Sequence, residues 1–397
     1  KWYLRLYDVT QADLNWDNPR VREELKEILR FWKNKGIKAF RFDVINLVSK
    51  PEVMEDDFQG DGRRFYSDGP HIHEYLKELV RDAGIEDFVT VGEMSSTSVE
   101  HCIRYSAPKE KELSMCFNFH HLKVDYKDGD KWALMPADYK KLKELFVEWQ
   151  IKMQKGDGWN ALFWCNHDQP RIVSRLGDEN TYWKESAKML AGMIHFMRGT
   201  PYIYQGEEIG MLNAHFPSIE HYRDVESLNY YQILLEGGKT EKEALETLAA
   251  RSRDNSRTPM QWNGQQYGGF SEEEPWLPMP AEFRKEITVE AQQHDGDSIL
   301  AFYKTLIAMR KMYPVIAKGD ISFWETGTDM TLAYQRTFGK QQIAVLCNLD
   351  GKQQTVRISG AWSGYQVLLE NYAGRKAAPQ EELYTMEPYE FMVLGTV

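Results

Sequence analysis

A chain of 397 residues exceeds what one hydrophobic core usually supports, so two domains are expected, and 42% apolar residues suffice to fill their cores. A net charge of -11 argues against nucleic acid or an anionic membrane as the main partner, although a local basic pocket is compatible with it. The four cysteines, Cys102, Cys116, Cys165 and Cys347, form neither a C-x-x-C pair nor a small disulfide framework, which suits a reducing cytoplasm, and no apolar run reaches the roughly 18 residues of a spanning helix.

Asn18 reads as a helix cap, with Pro19 in the first turn, Leu25, Ile28, Leu29 and Trp32 on one face, and Gly36 just past the end. A strand from Ile37 to Ile45 follows directly. Ile72, Tyr75, Leu76 and Leu79 mark a second helix, which leads into the strand "DFVTVGEM". "MCFNFHHLKVD" is a third strand, Leu142, Leu145, Phe146 and Trp149 mark the next helix, and "WNALFWCNHDQP" is a fourth strand. A helix around Lys184 to Met197 precedes a fifth, "GTPYIYQGEEIGM".

Strands alternating with helices of this length imply a parallel sheet built from βαβ units. Each strand ends in polar residues, as the strands of a (β/α)8 barrel do where they present an active site, and no Gly-rich phosphate turn speaks for a doubly wound sheet. Five such units are too few to close a barrel. The expected fold is therefore an α/β (β/α)8 TIM-barrel domain that is N-terminally incomplete, with strands 4 to 8 present and about three units absent. Residues 213 to 297 read as a long irregular stretch, and "SILAFYKTLIAMRKMY" as the helix that closes the barrel region at residue 313. Residues 314 to 397 hold six short strands, from "ISFWETG" to "PYEFMVLG", and read as a small antiparallel β-sandwich domain.

Side chains alternate along a strand, so Arg41 and Asp43 share one face of the first strand while Phe40 and Phe42 share the other. Taken alone, the pair could be a buried ion pair that fixes packing. The second strand, however, ends in Glu93 and the fourth in His167 and Asp168, and three acids at three strand ends are hard to explain as packing. Glycoside cleavage needs such carboxyls, and a retaining glycosidase holds its nucleophile and its acid/base about 5 to 5.5 Å apart.

"GIKAFRFDVIN", "VTVGEM" and "FWCNHDQ" resemble, in order, the signature segments of the α-amylase superfamily, glycoside hydrolase family 13. "QADLNW" resembles a further segment, with Ala12 in place of proline, and "GTPYIYQGEEIGM" another; "RDNSRTPMQW" is similar to a motif of the oligo-1,6-glucosidase branch. The resemblance implies that Asp43 is the nucleophile, Glu93 the general acid/base and Asp168 a ligand of the sugar 2- and 3-hydroxyls. It also implies that Arg41 orients Asp43, that His167 bonds the same sugar, and that Arg257 lines the pocket of the non-reducing glucose. No cofactor is expected; the metal loop that the family usually carries near its first strand is not in this sequence.

Within the family, "LYDVTQADLNW", "GEMSSTSVEHCIRYS" and "CFNFHHLKVDY" resemble the phospho-α-(1,1)-glucosidase branch, which splits trehalose 6-phosphate. "FHHLK" is basic where neutral-sugar relatives carry an acid, so His120, His121 or Lys123 is expected near the phosphate of a phosphorylated disaccharide. Arg104 is expected to be solvated, and Glu207 and Glu208 to be structural. An oligo-1,6-glucosidase, a sugar-isomerising transglycosylase of the same branch and an inactive carbohydrate-binding relative are the alternative expectations.

Overall fold

The computed structural model describes residues 2–358, 362, 364–372 and 382–396. It divides into two compact units, residues 1–119 with 148–161 and residues 120–147 with 162–397.

The first unit opens on a looped segment, in which the Asp13 N–H donates to the Leu4 carbonyl at 2.9 Å, and helix α1 (Pro19–Asn34), whose N-cap Asn18 accepts the Arg20 N–H at 3.0 Å. Strand β1 (Ala39–Phe42), helix α2 (Ile72–Asp82), strand β2 (Val89–Glu93), helix α3 (Val99–Ser106) and strand β3 (Met115–Phe117) follow. The three strands make a parallel sheet in the order β1-β2-β3, with Arg41 opposite Val91 and Glu93 opposite Phe117. Helix α2 buries Ile72, Tyr75, Leu76 and Leu79, the face its spacing predicts. Its acids meet the basic face of α1, where Lys26 lies 2.7 Å from Glu78 and 3.1 Å from Asp82.

Strand β1 is shorter than the sequence suggests. It ends at Phe42, Val44 adopts a left-handed backbone with φ of 36°, and residues 45–47 form a 3-10 turn. Positive φ is a true outlier for a β-branched residue, so the turn that carries Asp43 is conformationally strained. Strand β3 likewise stops at Phe117, and His120–Lys123 is a 3-10 turn rather than strand.

Helix α4 (Tyr139–Lys155) buries Leu142, Phe146, Trp149 and Met153. The short strand β4 (Ala161–Leu162) ends on Leu162, the first residue of this part of the second unit, whose carbonyl accepts the Tyr202 N–H at 2.7 Å just after strand β5 (Thr200–Pro201). Between them lies helix α5 (Trp183–His195), to whose Leu190 carbonyl the buried Trp164 indole donates at 2.7 Å. The stretch expected to be irregular contains helices α6 (Val225–Glu236) and α7 (Glu241–Arg251). Their buried faces mix Ser227, Thr247 and Arg251 with Tyr231, Ala244 and Leu248, which blurs the apolar period. The caps were nonetheless written in the sequence: Asp224 accepts the Ser227 N–H, and Thr240 and Glu243 form a capping box. Helix α8 (Ile299–Met312) follows where predicted.

Strands β6 (Asp320–Trp324), β7 (Thr331–Phe338), β8 (Gln341–Asn348), β9 (Gln354–Arg357), β10 (Gln366–Glu370), β11 (Leu383–Met386) and β12 (Phe391–Thr396) complete the unit. Strand β11 is an addition to the six strands expected from the sequence; of the strand "QQTVRISG", residues 359–360 lie outside the described residues. Five strands pair antiparallel in the order β10-β12-β8-β7-β6, and β9 pairs with β11. One face of the larger sheet, with Ala333, Ala344, Leu346 and Met392, packs with Val356 and Met386 of the smaller one. The other face meets helices: the Tyr334 hydroxyl donates to the Met193 carbonyl at 2.7 Å, and Phe391 stands where a Cβ at Gly192 would meet its ring at 2.4 Å. Burial on both faces explains why β8 is apolar almost throughout. The fully buried Arg336 donates to the carbonyls of Phe196 (2.6 Å), Ile316 (2.9 Å), Gly319 and Asp320, and burial pushes its pKa down to about 9.

Candidate active site

In the first unit, Arg41 near the end of β1 is the centre of a charge cluster. Its Nη1 donates to Asp43 Oδ1 at 2.7 Å and its Nη2 to Glu93 Oε2, so both carboxylates lie within the span of one guanidinium. Glu93, the last residue of β2, is nearly buried, whereas the Asp43 side chain is 72% exposed. Adjacent parallel strands place the two acids side by side, and the left-handed Val44 turns the chain away immediately after Asp43. Tyr7 belongs here too and was not singled out in the sequence: partial burial, then the negative charges of Asp43 and Glu93, push its pKa up.

The second unit holds the other cluster. Beyond β4 the chain turns at Asn166, whose Oδ1 accepts the Asp168 N–H at 2.8 Å. His167 Nε2 lies 3.3 Å from Asp168 Oδ2, and Arg257 donates to Asp168 Oδ1 at 2.7 Å and to the His167 carbonyl at 2.8 Å. Three residues predicted from two separate motifs, His167 and Asp168 from one and Arg257 from the other, are thus together. Arg253 and Asp224 join them without having been predicted: Arg253 lies 3.5 Å from Asp168 and donates to Asp224 at 2.6 and 3.0 Å. Arg253 stands inside the quoted "RDNSRTPMQW", so its motif was the signal; Asp224 had only its capping position to mark it.

The candidates for a basic pocket separate. His120 is half-buried and Lys123 exposed, both on the turn His120–Lys123. His121 is buried with its Nε2 2.8 Å from the Phe163 carbonyl, and burial pushes its pKa down to about 4. A neutral core imidazole carries no charge for an anion, so the structure gives His121 a packing role. Arg104 is exposed, as expected. Among the described residues, no group of three or more His, Cys, Asp and Glu is placed to hold a metal ion, and no helix is long and apolar enough to cross a membrane.

Glu207, after β5, is a buried acid with a measurable consequence. Its Oε1 lies 3.1 Å from the Tyr303 hydroxyl, its Oε2 accepts the Tyr204 N–H at 3.3 Å, and burial pushes its pKa up to about 7. Between the ordinary glutamate value of about 4.3 and that raised value, the folded chain keeps a proton that the unfolded chain has lost. Its contribution to stability therefore falls as pH rises through this window. Glu207→Gln, which keeps the shape and cannot ionise, should be more stable than the parent at pH 8 by on the order of 2–3 kcal/mol. Near pH 4 the gain should vanish. Urea unfolding at the two pH values tests this, and an identical difference at both would refute the shift.

The sequence matches the family described as Alpha amylase, catalytic domain, over residues 1–319. It is 48% identical over 399 residues to the trehalose-6-phosphate hydrolase of Bacillus subtilis (strain 168), covering 99% of this chain and 70% of that protein. It is 41% identical over 403 residues to an oligo-1,6-glucosidase of Parageobacillus thermoglucosidasius, covering 99% and 71%. The crystal structure of Bacillus licheniformis trehalose-6-phosphate hydrolase superposes with a TM-score of 0.93 at 51% identity, again over 99% of this chain and 71% of that one.

Proposed function

The chain belongs to the α-amylase family, and we propose that it hydrolyses trehalose 6-phosphate to glucose and glucose 6-phosphate with retention of configuration. The observation that carries the chemistry is the single Arg41 guanidinium in contact with both Asp43 and Glu93. It holds a nucleophile candidate and a proton-donor candidate close together, as double displacement requires. Glu93 protonates the glycosidic oxygen while Asp43 attacks the anomeric carbon, and the bond to the leaving glucose 6-phosphate breaks as the ester to Asp43 forms. Water, deprotonated by Glu93, then displaces Asp43 and restores the α configuration. We assign Asp168 to the 2- and 3-hydroxyls of the same glucose, with His167 as a further donor and Arg257 fixing the Asp168 carboxylate through its 2.7 Å bond.

The phosphorylated substrate is favoured over a neutral one by the 48% identity to a trehalose-6-phosphate hydrolase against 41% to an oligo-1,6-glucosidase. Lys123, with His120 beside it, is the cation we assign to the phosphate; the core position of His121 removes it from that role. Free, buried cysteines suit a cytoplasmic setting. We also read β1 to β5 as the fourth to eighth strands of a (β/α)8 barrel ending at residue 313, with residues 314–397 as an antiparallel β domain.

Trehalose 6-phosphate, trehalose and isomaltose offered in parallel should give fast glucose release from the first alone. Equal or faster turnover of isomaltose would sink the phosphosugar reading. Lys123→Ala should raise KM for trehalose 6-phosphate by about tenfold or more, the worth of one charge-assisted bond, and leave a neutral aryl α-glucoside nearly unaffected. An unchanged KM would remove Lys123 from the phosphate site.

A further inference from the structure

We propose that Asn46 is a positioning residue that fixes the nucleophile turn against the acid/base strand. The inference rests on the assignment of Asp43 and Glu93 given above. The backbone ladder between β1 and β2 runs from Ala39 opposite Val89 to Phe42 opposite Gly92 and stops there. Both acids lie just beyond its last pair, where the chain at Val44 has already turned into a left-handed conformation. Ladder hydrogen bonds therefore stop one residue short of both acids and do not by themselves fix the turn that carries Asp43.

Asn46 supplies the missing connection. It follows Asp43 by three residues, it is fully buried, and its side-chain amide pairs in both directions with the peptide of Ser95, two residues after Glu93. Nδ2 donates to the Ser95 carbonyl at 2.7 Å, and Oδ1 accepts the Ser95 N–H at 2.9 Å. The amide thus imitates one more pair of strand bonds across the gap. Asp68 anchors it from behind: its Oδ1 accepts Asn46 Nδ2 at 3.0 Å and the Tyr105 hydroxyl at 2.6 Å, and its N–H donates to the Asn46 carbonyl at 2.9 Å. The role demands a donor and an acceptor on one short planar group, which aspartate and leucine, both of similar size, cannot provide.

The test separates positioning from folding. Asn46→Ala and Asn46→Asp are assayed on a nitrophenyl α-glucoside below each variant's melting transition. Competent sites are counted by stoichiometric trapping of the glycosyl-enzyme with a 5-fluoroglycosyl fluoride, so that an unfolded fraction drops out of kcat. Because a displacement of about 1 Å costs on the order of 100-fold, kcat per trapped site should fall by about 10- to 100-fold in both variants, with KM changed by less than about threefold. A kcat per trapped site equal to that of the parent, with only a lower melting temperature, would overturn the proposal and leave Asn46 as a stabilising residue. Failure of the parent chain itself to be trapped at Asp43 would instead overturn the nucleophile assignment, so the two failures are told apart.

Discussion

Asp43→Asn should abolish turnover, with kcat reduced on the order of 10⁴-fold or more, the scale reached when a covalent nucleophile is removed. The substitution keeps the shape and the contact with Arg41 but replaces the attacking oxygen by an amide. No glycosyl ester can then form. Stereochemistry makes the test sharper than the rate. Azide added to Asp43→Gly, whose missing side chain leaves room on the face that the nucleophile occupied, attacks an activated α-glucoside from that face, and one inversion gives the β-glucosyl azide. In Glu93→Gln the ester at Asp43 still forms from an aryl glucoside, whose leaving group needs little protonation, and azide displaces it in a second inversion to give the α-glucosyl azide. An α-azide from Asp43→Gly, or accumulation of a glycosyl-enzyme in Asp43→Asn, would refute the assignment.

Asp125→Ala should destabilise the second unit by about 3–5 kcal/mol, the cost of stranding buried charges. Asp125 is 4% exposed. Its carboxylate accepts from Arg175 at 2.8 and 2.6 Å and from Arg251, its carbonyl accepts from Arg251 at 2.6 Å, and both guanidiniums lie over the Tyr126 ring at 5.3 and 5.2 Å. Removing one anion leaves two buried cations without it. Burial alone would raise the Asp125 pKa, but Arg175 and Arg251 together hold it below the usual carboxylate range. An acid with a depressed pKa stabilises the fold above its unfolded value, about 3.9, and the contribution fades as pH falls below that value. Urea unfolding should therefore show the full penalty at pH 7 and a smaller one near pH 3. A penalty below about 1 kcal/mol at pH 7 would mean that water or a rearranged partner takes over the two guanidiniums.

Much of the candidate site was legible because its residues sit at the ends of apolar runs, on strands or on the turns that follow them. Arg41, Asp43, Glu93, His167 and Asp168 were found by reading apolar runs outward until a charge appeared, and Arg257 by its motif. The structure altered the reason for one of them: Asp43 meets Arg41 across a turn beyond β1 rather than by strand alternation. His121 shows the limit of composition, since a basic-looking "FHHLK" hid one imidazole bonded to the Phe163 carbonyl in the core.

Local signals fixed the helices, because a cap and an apolar period act within a few turns of chain: Asn18 caps α1, and Leu76 and Leu79 face inward on α2. Partnerships over long separations were decided by tertiary structure alone. Asp125 meets Arg175 and Arg251, 50 and 126 residues away, and Arg336 reaches the Phe196 carbonyl 140 residues back. Nothing in the neighbourhood of any of these residues in sequence reports the partner, because a buried charge is tolerated only by what packing brings to it. Asn46 lies between the two cases: its place three residues after Asp43 was readable, and its hold on Ser95 was not.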